Sequence, residues 1–277
     1  MPLAASSTQK SPAVKPPPPS AATLPAVVRL KVTGDFVQPE FYSPLVEELI
    51  RKASTGLYPN ASIKIDTANF FAKPKIIPRG RTTYALFPAR AWAPNTKTVR
   101  RSVIAVIENV DVLGFGAPSK IFVSNSPESI VRTGELLSGS FSRGENVRFM
   151  IHHQNKLREA VRIVFQIKNT GRETALVHIT GLTSLYTSKD EMYAGHVATV
   201  NFMKQTSLGL GFIAEIPPGG VYQVRRIMLE PNIVASALLD MSALRGGPVE
   251  FRIRALEKTA PENQTYEDRK STRLNSS

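Results

Sequence analysis

Cysteine is missing from this sequence altogether. That removes disulfides, cysteine-ligated zinc, iron–sulfur clusters and thiol nucleophiles in one step. Tryptophan is nearly missing, with Trp92 alone. Long apolar runs are missing as well. The longest, Val103–Ile107, is far short of the roughly 18 residues a membrane-crossing helix needs. There is no Gly-x-Ser-x-Gly elbow and no phosphate-cradling loop ending in Gly-Lys-Ser/Thr. Acid is missing from one long stretch, Thr67 to Ile107, which holds no Asp or Glu.

What is present suits a folded protein. The 277 residues are 42% hydrophobic and 21% charged, enough for one large domain or two modest ones. The formal net charge is +13 and it is unevenly placed. Residues 26–118 carry 13 basic and 7 acidic side chains, whereas 119–267 carry 17 and 14.

Both ends read as lying outside the fold. Residues 1–25 form a Pro/Ala/Ser-rich stretch including Pro16–Pro19, expected to be a disordered linker. A spacer of this kind suits a position just after an export signal or anchor, so the expected location is extracytoplasmic, in the periplasm or at the cell surface. Residues 258–277 read as a polar tail. Within it, Asp268–Ser277 resembles a translated sequencing adapter and is set aside as an expected artefact.

Residues 26–117 are expected to form a small basic α+β domain. Val27–Val32 reads as a strand. A helix is predicted from Ser43, with Pro44 at its first position and Leu45, Val46, Leu49 and Ile50 on one face. Strands are predicted at Ser62–Asp66, Thr82–Phe87 and Thr98–Ile107. In pattern this segment resembles the N-terminal part of flagellar P-ring assembly proteins. The acid-free stretch falls here. It carries Lys73, Lys75, Arg79, Arg81, Arg90, Lys97, Arg100 and Arg101, interleaved with Phe70, Phe71, Tyr84, Phe87 and Trp92. Cations beside aromatic rings suit an anionic polymer or an acidic partner protein, through ion pairing and stacking. Lys73, Lys75, Arg79, Arg81, Arg90, Trp92, Lys97 and Arg100 are therefore the candidate binding residues.

Residues 118–257 alternate strand patterns with turns, as an antiparallel β-sandwich does. Val147, Phe149, Ile151 and His153 share one strand face, and Val161, Ile163, Phe165 and Ile167 another. Asn169-Thr170-Gly171 is predicted to close a hairpin onto Thr174–Thr180, and Pro217-Pro218-Gly219-Gly220 a second one. A helix is predicted with Ser188 and Glu191 as capping box and Met192, His196, Val200 and Met203 on its apolar face. The Asn169–Gly171 hairpin resembles those of bacterial immunoglobulin-like surface domains, which implies a mainly β sandwich of periplasmic or surface type.

Of the four histidines, only His153 and His196 could share a site, and no carboxylate is identified to complete a metal centre. Gly209–Ala214 matches Gly-x-Gly-x-x-Ala. A helix is predicted before it and a strand after it, the reverse of a dinucleotide-binding turn. No catalytic residue and no cofactor is expected. The sequence thus points to a non-enzymatic extracytoplasmic bacterial binding or structural module with a basic first domain. A metal-binding or metal-dependent β-sandwich using His153 and His196 is one alternative. A single-stranded nucleic-acid binder is another, although the nearly uncharged leader is unlike a nucleic-acid arm.

Overall fold

The computed structural model describes residues 18–66, 75–112, 117–126 and 128–260. Lys73, Phe70, Phe71, most of the leader and the 261–277 tail lie outside the described residues. The architecture is mainly β, with several sheets and two α-helices among the described residues. The first part runs β1 Val27–Thr33, β2 Phe36–Val37, α1 Pro39–Ala53, β3 Ser62–Ile65, β4 Ile77–Pro78, β5 Thr82–Trp92 and β6 Val99–Asn109. Next come β7 Lys120–Ser124, β8 Ser129–Ile130, β9 Gly134–Phe141, β10 Asn146–Asn155, β11 Val161–Asn169, β12 Ala175–Thr180 and β13 Tyr186–Ser188. The last elements are α2 Glu191–Ser207, β14 Gly211–Ile216, β15 Val221–Leu229, β16 Val234–Arg245 and β17 Val249–Glu257. No helix among the described residues is long and apolar enough to cross a membrane.

The chain divides into two compact units, both assembled from separate segments. The first takes its described residues from 1–28, 44–73 and 85–105, the second from 29–43, 74–84 and 106–277. The sequence suggests one boundary at 117/118. The long strands β5 and β6 instead contribute residues to both units.

In the first unit β3 pairs with β5 antiparallel, and β5 lies beside β6. Alternation sets the faces: Ala85, Phe87, Ala89 and Ala91 are buried, as are Val103 and Ala105. The end of the leader is packed rather than free. Ala21, Ala22 and Leu24 are buried, the Ala21 amide bonds the Lys97 carbonyl, and the Thr23 amide bonds the Thr55 carbonyl. Small apolar side chains let this segment lie against a sheet edge. Helix α1 begins at Pro39 and not at Ser43. Gln38 supplies the carbonyl that the Phe41 amide bonds at 3.0 Å, and Pro39 with Glu40 makes a first turn suited to the helix dipole. Pro44 therefore sits inside the helix, on its exposed side.

In the second unit one sheet runs β1-β14-β12-β16-β10-β7, with β13 also beside β16 and β8 beside β10. A four-stranded sheet runs β15-β11-β17-β9, and β2 pairs with β4. Phe149 of β10 lies 4.9 and 4.8 Å, ring centre to ring centre, from Phe165 of β11 and Phe251 of β17. Phe122 completes the cluster, 4.6 Å from Phe251.

Three expectations fail here. Asn169–Gly171 is no hairpin, because β11 and β12 belong to different sheets. The loop 217–220 likewise joins β14 to β15 across sheets. Both turns carry hairpin-forming residues, but strand partners are chosen by buried side chains distant in sequence. On α2 the cap is Asp190, whose carboxylate accepts the Tyr193 amide at 2.9 Å, while Ser188 Oγ accepts the Asp190 amide. The buried face is Ala194, Ala198, Phe202 and Gln205; Met192 is 88% exposed and Met203 62%. Small residues win that face because α2 lies on β16. Gly181 shows how close the packing is: its φ is +88°, and a Cβ there would strike the Leu238 carbonyl and the Phe202 ring.

Candidate functional site

Two clefts collect the chemistry, one in each unit. In the first unit the register sets Lys64 opposite Arg90 and Ser62 opposite Trp92, all on the outward face of β3 and β5. Arg90 lies with its guanidinium carbon 5.3 Å from the Trp92 ring centre, a cation–π contact. A cleft of about 420 Å³ opens here, lined by Lys64, Asp66, Arg90, Arg100, Arg101 and Ser102 among others. Lys64, Lys97 and Arg100 make no ion pair among the described residues, and Arg101 bonds only the Leu24 carbonyl at 2.8 Å. Asp66 is the one carboxylate among the described lining residues of this cleft.

Of the residues read from sequence, Arg90, Arg100 and Arg101 thus line this cleft, and Trp92 stands against Arg90. Lys64 joins them unannounced, because it stands before the acid-free stretch. Lys97 is exposed at the turn between β5 and β6. Lys75 and Arg81 are exposed in the second unit. Arg79 does not line this cleft. It is in the second unit, where its guanidinium pairs with Asp35 and, at 3.2 Å, with Asp111.

The second cleft, about 530 Å³, lies on the outer face of the large sheet of the second unit. Cross-strand register builds its floor. One row reads Thr33, Gly211, Thr180, Asp240, Arg148 across β1, β14, β12, β16 and β10. Two residues along, His178, Ser242 and Asn146 stand in line. Between them runs the inward row Val32, Phe212, Ile179, Met241 and Val147, all buried. Period-two alternation thus places a polar row on either side of an apolar one. None of the polar residues is adjacent in sequence across strands, so no linear motif announces them.

Arg148 donates from Nε and Nη2 to both carboxylate oxygens of Asp240, at 2.8 and 2.9 Å. The paired carboxylate raises the Arg148 pKa. The same guanidinium stacks 4.8 Å from the Phe202 ring centre of α2. His178 Nε2 lies 2.9 Å from Thr33 Oγ1, and Thr33 Oγ1 in turn donates to the Gly209 carbonyl at 2.9 Å. The single hydroxyl proton is committed to Gly209, so His178 Nε2 carries the donor proton. Burial holds His178 down to a pKa of about 4, with Asp240 pulling weakly the other way.

A hydroxyl facing an imidazole suggests a nucleophile and its base. The proton arrangement is the reverse: Thr33 accepts from the ring it would need to deprotonate it. Two more histidines meet hydroxyls. His153 Nε2 is 2.8 Å from Ser124 Oγ, and His152 Nδ1 is 2.6 Å from Ser236 Oγ. Ser124 and Ser236 are both buried. His153 is fully buried on β10, whereas His196 is exposed on α2. Among the described residues, no three His, Cys, Asp or Glu side chains gather as metal ligands would.

Comparison with known proteins adds no relative to this picture. No protein-family model and no curated protein matches the chain. Among solved structures it is similar, at a TM-score of 0.19 and 8% identity, to the secreted serine protease VesC from Vibrio cholerae. The alignment covers 84% of this chain and 43% of that one, and a likeness so slight carries no argument.

Proposed function

We propose that the chain is a non-enzymatic, extracytoplasmic bacterial binding module that grips an anionic polymer through the basic cleft of its first unit. One observation carries this reading: Lys64, Arg90 and Arg100 converge on one cleft with no carboxylate paired to them and Trp92 beside them. Cations left unpaired inside a concave surface focus field outward and draw in polyanions. The paired cations of the second unit, Arg79 and Arg148, lack that property. A non-enzymatic role is supported by the buried hydroxyls of Ser124 and Ser236 and by the proton that Thr33 gives to Gly209. In this reading the large sheet and the four-stranded sheet of the second unit form an immunoglobulin-like β-sandwich that serves as scaffold. The Phe149, Phe165 and Phe251 contact between sheets is the packing such a sandwich requires. The Pro/Ala/Ser-rich leader suits a tether.

The test is retention on heparin and on a single-stranded thymidine oligomer across a salt series. The reading expects heparin binding that weakens steeply with salt and is lost in a Lys64→Gln, Arg90→Gln, Arg100→Gln variant of unchanged melting temperature. Undiminished binding by that variant would overturn it. Binding to the oligomer alone would favour a nucleic-acid role instead.

A further inference from the structure

The structure assigns a second binding site, independent of the basic cleft: the polar cleft of the second unit, shaped for a neutral saccharide ring. Its volume of about 530 Å³ lies within the usual range for small-molecule sites, roughly 300–1,000 Å³. The floor is rigid, because its groups stand on the central strands of a sheet and not on loops.

Charge decides the ligand class. Each cation of the lining already holds a carboxylate: Arg79 holds Asp35 and Asp111, and Arg148 holds Asp240 on two bonds. An anionic ligand would have to compete with those carboxylates, and a cationic one with those guanidinium groups. A neutral hydroxyl has no such rival. It joins the existing pairs, since each Asp240 oxygen keeps an acceptor position and Arg148 Nη1 keeps its donors. His178 is neutral above its low pKa and adds no charge.

The remaining groups fit the same chemistry. The Thr180 hydroxyl makes no hydrogen bond among the described residues, although Thr180 is 8% exposed. Ser242 Oγ donates to Asn146 Oδ1 at 3.0 Å and keeps its lone pairs. Thr180 and Asp240 face each other across strands, as do Ser242 and Asn146, so hydroxyls and amides alternate with a carboxylate at a strand spacing of about 4.8 Å. A ring bearing hydroxyls on adjacent carbons can bridge such neighbours. Val110, Val112, Ala117 and Pro118 supply an apolar wall for the C–H face of the ring.

Saturation-transfer NMR on the full chain tests this, with methyl glucoside, methyl galactoside, N-acetylglucosamine and maltohexaose as probes and inorganic phosphate as the anionic competitor. The monosaccharides report a free sugar and the hexamer a unit of a glycan. Transfer to at least one sugar is expected, undisturbed by equimolar phosphate. It should fall at least tenfold in a Thr180→Val, Ser242→Ala variant. Thr206→Trp, which places a bulky ring at the cleft from an exposed helix position, should block it without unfolding. Silence from all four sugars, displacement by phosphate, or full binding by both folded variants would overturn the assignment. The basic cleft contains none of these residues, so its own test stands or falls separately.

Discussion

Arg148 and Asp240 face each other directly across β10 and β16, joined by two parallel hydrogen bonds of 2.8 and 2.9 Å. The pair sits under α2, with Phe202 against the guanidinium. Planar guanidinium and planar carboxylate match in fork geometry, so the contact also pins the register of the two strands. Removing one partner leaves the other half-buried and uncompensated. Asp240→Asn should lower stability by about 2 kcal/mol. Replacing both, as Arg148→Met with Asp240→Leu, should recover most of that loss. Urea unfolding of the three proteins checks it; a double variant as unstable as the single one would contradict it.

His178 gives the fold an acid-sensitive point. Its folded pKa of about 4 lies below the ordinary value of 6.5, so the unfolded chain binds its proton first on acidification. Stability from this group is complete above about pH 6.5 and lost as pH falls towards 4. The full effect is on the order of 3 kcal/mol for a shift of this size. Melting temperature measured from pH 7 to pH 4 should fall, and more steeply than in His178→Gln. Parallel profiles for the two proteins would count against it.

The two faces of α2 should behave oppositely. Phe202 is buried against β16 and Arg148, so Phe202→Ala should cost about 3 kcal/mol. Met192 is 88% exposed, so Met192→Lys should stay within about 0.5 kcal/mol of the parent. Thermal unfolding distinguishes them.

The cations should also separate by whether they are already paired. Arg90→Gln and Arg100→Gln should each lower the salt slope of heparin binding by roughly 1. Arg79→Gln should leave that slope alone, because its guanidinium is held by Asp35 and Asp111. Affinity chromatography at several salt concentrations gives the slopes.

Much of the local structure is legible in the residues. The alternation of Val161, Ile163, Phe165 and Ile167 marks β11, and the same pattern marks β10, β14 and β17. Strand β16 is not legible. Val234–Arg245 is rich in Ala, Leu and Ser and mixes Ser236, Asp240 and Ser242 with apolar residues on its outward face, because that face is covered by α2 while the other meets the aromatic core. Helix α2 is legible as a helix but not in orientation. Its large apolar residues suggest the Met192 and Met203 face, and the short distance to β16 admits only the face of Ala194 and Ala198. In the basic cleft Arg90, Arg100 and Arg101 can be read from the sequence, since they share an acid-free stretch. The polar cleft cannot, since its groups come from strands that meet only through non-local pairing.

The amino-acid sequence by itself determined the mainly β character, the places where helices and turns form, the lack of thiol chemistry and the local excess of positive charge. These are short-range properties, set by side-chain periodicity, capping and composition within a few residues. The tertiary structure decided which strands pair, which face of α2 is buried, and which arginines keep their charge free. Those choices depend on groups far apart in the chain. Arg79 and Arg90 belong to the same basic stretch, and only the carboxylates of Asp35 and Asp111 tell them apart.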